Sequence, residues 1–136
     1  MKKHLFLVLS LIPLLSIAQE TDRWKYIGKS SDGEKYYIDT QTMTSNSGWI
    51  KSISSPMSKS NVHTIVAHQR ASCTNRTLSA EQVINYDKNG RPIKTSNIYD
   101  PPSQVAPNTI GEMILETICS NVDLSEWLGP IPKHSK

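Results

Sequence analysis

Apolar and polar positions alternate with a period of two along most of this chain and shift to a helical period only near its end. That pattern predicts a meander of short strands closed by one helix. Arg23 to Lys29 and Glu34 to Asp39 are aromatic-rich runs separated by Ser30-Ser31-Asp32-Gly33, and Asp-Gly between such runs is a strong hairpin signal. They read as the first two strands. Asn46-Ser47-Gly48 turns the chain into a third, Trp49 to Ser54, in which Trp49, Lys51 and Ile53 alternate with Ile50 and Ser52. Ser55 to Asn61, with Pro56 and many small polar residues, reads as a connection. A fourth strand runs from about Val62 to Cys73, and a fifth lies within Arg76 to Tyr86. Asp87-Lys88-Asn89-Gly90 then leads to a sixth from Arg91 to Asn97, with Asn-Gly supplying the positive-φ positions of a tight turn. Short strands at this spacing favour an antiparallel sheet.

The period changes after Pro101-Pro102. Thr109 and Glu112 have capping-box spacing, and Ile110, Ile114 and Ile118 follow on one helical stripe with Cys119 beside it. On the fourth strand, Ile65, Ala67, Gln69, Ala71 and Cys73 share a face, while Val66, His68 and Arg70 share the other. A helix lying over the small apolar face is the expected packing, provided that no bulge shifts the register.

The beginning of the chain follows a different rule. Met1 to His4 is a short positive segment, Leu5 to Ile17 is mostly apolar, and Ser16-Ile17-Ala18 ends the run with small residues at the positions a signal peptidase inspects. Residues 1–18 therefore read as a cleaved export signal, 19–128 as one domain, and 129–136 as a mobile tail. The apolar run is shorter than the roughly 20 residues a membrane span needs, so no membrane span is expected. No cysteine stands near the cleavage region, so no lipid anchor is expected there, and the periplasm or the exterior is the anticipated location.

Cleavage also alters the charge. The whole chain carries 15 basic and 12 acidic residues, and losing Lys2 and Lys3 leaves 13 against 12, a net charge of +1. Nothing in that balance directs the protein to nucleic acid. With an export signal in place, Cys73 and Cys119 read as a structural disulfide pinning helix to sheet. In the chain-entropy picture such a bridge contributes up to about 4 kcal/mol.

Reaction chemistry is harder to find. His63 and His68, five apart on a strand, point to opposite faces and make poor joint metal ligands, and His134 stands in the polar tail. Both cysteines are assigned to the bridge, and no serine occupies a nucleophile elbow. Asp32 and Asp87 fall in turns that favour aspartate for its own backbone bonding. Without a phosphate-cradling glycine loop or nucleotide fingerprint, no cofactor, metal or catalytic residue is expected. Binding residues are easier to nominate. Trp24, Tyr26, Tyr36 and Tyr37 crowd the first hairpin, with Tyr36 and Tyr37 on opposite faces, and His68 and Arg70 lie on the polar face of the fourth strand. These aromatics can serve as cross-strand packing or as anchors for a partner.

Trp24-Lys25-Tyr26-Ile27-Gly28, Asp32-Gly33, Tyr36-Tyr37-Ile38-Asp39, Cys73-Thr74-Asn75-Arg76, Tyr86-Asp87-Lys88-Asn89-Gly90 and Pro107-Asn108-Thr109-Ile110-Gly111-Glu112 occur in that order, followed by Cys119. Together they resemble the surface-adhesin protein E family of bacterial envelope proteins. The resemblance implies an α+β fold, a six-stranded antiparallel sheet with a C-terminal helix tethered to it by a disulfide. It further implies a homodimer and adhesion to host matrix proteins. The expected function is thus an exported, non-enzymatic binding protein. A periplasmic module serving envelope assembly, or binding a small ligand, is the alternative.

Overall fold

A computed structural model of the chain describes residues 23–120. The expected signal (1–18), the start of the mature chain (19–22), the end of the expected domain (121–128) and the expected tail (129–136) lie outside the described residues.

Among the described residues the elements follow in the order β1 (Trp24–Lys29), β2 (Lys35–Asp39), β3 (Ser47–Ile53), β4 (Thr64–Ser72), β5 (Thr77–Tyr86), β6 (Pro92–Asn97), β7 (Ser103–Gln104) and α1 (Ile110–Ser120). The first six lie side by side in chain order, each antiparallel to the next. This is the meander that the alternation predicts. Its hairpin turns use the residues that the sequence marks for them. Gly33 and Gly90 take φ of 94° and 74°, and their N–H groups donate to the carbonyls of Ser30 and Asp87. The two-residue β7 was not anticipated. It pairs with the start of β5, beyond the point where β6 ends opposite Gln82, and Val105 N–H donates to Arg76 O beside it. Two residues are too few to display alternation, so the ladder is visible only in three dimensions.

The helix covers one face of the sheet. Ile38 of β2, Ile50 of β3 and Ala71 of β4 pack with Ile114, Leu115 and Ile118 of α1 into the core, half-buried Ile110 completing the expected stripe. Leu115, one residue aside from that stripe, is buried as deeply as its members because the helix sinks a broad arc into the sheet. At Gly28 of β1 an added Cβ would lie 2.5 Å from the Met113 side chain of the helix. The start of α1 is capped as its spacing predicts. Glu112 N–H donates to Thr109 Oγ1 at 3.2 Å, and Glu112 Oε2 accepts from Asn108 N–H at 2.7 Å.

Two fastenings join α1 to the β4–β5 turn. Cys73 is bonded to Cys119 with Cα atoms 5.8 Å apart, and Arg76 of the same turn donates to Glu112 Oε1 at 2.6 Å. One lies near each end of the helix.

Candidate functional site

Register decides which side chains share the face that α1 leaves open. In the row Ile38, Ile50 and Ala67 the two isoleucines pack beneath the helix, so the neighbouring rows point the other way. One such row is Tyr26, Tyr37, Lys51 and Val66, and another pairs Trp49 with His68. Trp24, opposite Asp39, continues the surface at the edge strand.

These rows assemble a set of rings around cations. Tyr26 and Tyr37 meet edge to face with centroids 5.5 Å apart, and Trp49 lies 5.1 Å from the His68 ring. Lys51 Nζ sits 4.3 Å from the Trp24 ring centre and 5.4 Å from that of Tyr37, within reach of both π faces. Tyr26 is 53% exposed, and Trp24, Tyr37, Trp49, Lys51 and His68 are half-buried against one another.

Both margins of the set are held by carboxylates. A bulge in β5 places Ala80 opposite Gln69 and Gln82 opposite His68, leaving Glu81 without a ladder partner. The Glu81 side chain takes hydrogen bonds from Arg70 Nε at 2.6 Å and from His68 Nδ1 at 2.8 Å. The Arg70 bond, followed by that of His68, holds its carboxyl below the ordinary value against some desolvation. At the other margin Asp39 is fully buried. It receives Arg23 and Thr42 Oγ1 at 2.7 Å each and Gln41 N–H at 3.0 Å. Burial pushes its carboxyl up, and these three donors together outweigh that push and leave it below the ordinary carboxylate value.

Asp39→Asn is therefore expected to cost about 2 kcal/mol at pH 7, since it removes a charged acceptor from three donors. The sign with pH follows from the lowered folded-state value. The wild-type advantage is fully present above about pH 5 and disappears as pH falls through the folded-state pKa. Denaturant unfolding of both proteins between pH 7 and pH 2.5 should show the curves converging in acid. A gap constant with pH would contradict this role.

Five of the six nominated binding residues, Trp24, Tyr26, Tyr37, His68 and Arg70, come together on the open face. Tyr36 does not. It packs against the core on the helix side, and its hydroxyl donates to Glu34 Oε2 at 2.6 Å, with burial first and then Glu34 raising its pKa. Three neighbours were not nominated. Trp49 and Lys51 already alternate together along β3, a signal that could have found them, but their place beside Trp24 and His68 needs the inter-strand register. Glu81 depends on the bulge, which no local pattern announces.

Compared with known proteins, residues 24–120 match the family model described as surface-adhesin protein E. No curated protein and no solved structure matches the chain.

Proposed function

Since the chain belongs to the surface-adhesin protein E family, we propose that it is an exported, non-enzymatic adhesin that grips a host matrix protein through the open face of its sheet. The observation that carries this reading is the clustering of Trp24 and Tyr37 about Lys51, with Tyr26 against Tyr37 and Trp49 against His68, on a face that α1 does not cover. Rigid aromatic rings with a cation among them are the side chains that most often anchor protein interfaces, because they bury large area at little entropic cost. Their mutual contacts hold the rings in place before a partner arrives, which lowers the ordering cost of association.

The test is binding to a panel of purified extracellular-matrix proteins. The double substitution Trp24→Ala, Tyr26→Ala should weaken capture by about 30-fold, in line with the loss of two anchors. Tyr99→Ala removes a ring that is 91% exposed and makes none of the ring or cation contacts of this set, and it should leave capture unchanged. Equal loss in both variants would point to nonspecific stickiness. Capture unaltered in the double variant would remove the face from the reading.

Location is tested by protease digestion of intact cells against cells with a permeabilised outer membrane. Digestion of intact cells agrees with an adhesin. Protection until permeabilisation favours the periplasmic module instead. Homodimer formation belongs to the same proposal, since among the described residues no strand pairs with the outer edges of β1 and β6. A monomer in sedimentation at micromolar concentration would exclude it. Among the described residues, no helix is long and apolar enough to cross a membrane.

A further inference from the structure

At one end of the sheet, the loop between β3 and β4 and the turn between β5 and β6 enclose an open cleft of about 830 Å³. It shares no residue with the aromatic face. Its size lies in the range of clefts that hold drug-sized ligands and exceeds what a lone inorganic ion requires.

The charge in this cleft is one-sided. Lys35, His63, Lys88 and Arg91 line it, and the lone carboxylate among the lining residues is Asp87. Asp87 is already engaged, accepting from Arg91 Nε at 2.8 Å and from the N–H groups of Asn89 and Arg91 at 2.8 and 2.9 Å. Lys35 and Lys88 form no ion pair with any described residue. Two lysines, neither of them ion-paired, and His63 thus line one concavity from three separate segments of chain. Cations brought together in this way repel one another, and an anion between them relieves that repulsion.

The remaining lining carries two further kinds of group. Ser58, Asn61 and Asn89 present hydroxyl and amide groups that can both donate and accept. Ile53 and Ile93 supply apolar surface, and Ile93 is 52% exposed. Phosphate alone would use the lysines and leave the amides and the isoleucines idle. A sugar ring uses all three, with substituent oxyanions on the cations, hydroxyls on the serine and asparagine groups, and the C–H face of the ring on isoleucine.

We propose that this cleft binds an anionic saccharide, a short sugar chain carrying sulfate or phosphate groups. Sulfated chains of a host matrix and phosphorylated sugars of a bacterial envelope share that chemistry. Their affinities can be compared directly.

The experiment is an amide-resolved NMR titration of the mature protein. Three probes are used: a fully sulfated heparin-derived tetrasaccharide, a deacylated glucosamine disaccharide phosphorylated at both ends, and neutral chitotetraose. At least one anionic probe should shift the amides of Lys35, His63 and Lys88 saturably, and the tighter of the two identifies the source. In Lys35→Ala, Lys88→Ala, both exposed positions, that affinity should fall at least tenfold while the spectrum elsewhere stays unchanged. Equally tight binding of chitotetraose would overturn the requirement for charge. Shifts outside the cleft, undiminished affinity in the double variant, or no response to either anionic probe would overturn the site. Inorganic phosphate binding as tightly as the anionic sugars would overturn the saccharide assignment.

Discussion

Replacing Cys73 and Cys119 together with serine is expected to lower the thermal midpoint of this protein by roughly 15 °C. The bridge closes a loop with a sequence separation of 46, for which the chain-entropy picture assigns up to about 4 kcal/mol of denatured-state entropy. In a domain of about 100 residues each kcal/mol moves the midpoint by about 4 °C or more. Cys73 is exposed and Cys119 half-buried, so serine introduces no fully buried hydroxyl and the measured change reports mainly on the cross-link. Calorimetry of the double variant, alongside wild type with and without reductant, checks the value. A midpoint within about 3 °C of wild type would show that the core alone seats the helix.

Ile118→Ala should have an effect nearly as large, about 3 kcal/mol. Ile118 is fully buried, one residue before the bridging cysteine, and it contacts a core that also draws on Ile38, Ile50 and Ala71. Truncation removes its transfer free energy and leaves a cavity that the neighbouring disulfide prevents the helix from closing. Ile118→Val, which keeps most of the volume, should cost about 1 kcal/mol. Exposed Glu116→Ala on the same helix should stay within about 0.5 kcal/mol of wild type. Urea unfolding at constant m separates these cases. Equal losses for Ile118→Val and Ile118→Ala would mean that the side chain's shape, and not the cavity, governs the site. Because Ile118 and Cys119 share one anchor point, combining Ile118→Ala with loss of the bridge should not give an additive result.

How the fold was legible in the sequence differs from element to element. Strand alternation and the Asp32-Gly33 and Asn89-Gly90 turns are local, short-range signals, and they located six strands and their antiparallel order. The capping pair Thr109 and Glu112 with the isoleucine stripe located α1. The candidate face was legible in part, because residue type and strand parity already separate Tyr36 from Tyr37. Pairing is a property of two strands at once. The meeting of Lys51 with Trp24 and Tyr37 depends on register across three strands, and the grip of Glu81 on His68 and Arg70 depends on a bulge in a fourth. Neither leaves a mark in any single stretch of sequence. The cleft gathers residues from segments more than 50 positions apart, each unremarkable alone.

The covalent link between helix and β4 also defines a mechanical route. A pull applied to the chain at Ser120 does not have to be borne by the apolar contacts of α1, which yield at modest force when peeled one after another. It passes within one residue of the helix end through Cys119 and Cys73 into the end of β4, a strand hydrogen-bonded on both flanks. Tension so delivered loads many backbone bonds of an interior strand together, and the helix remains slack beside the load path.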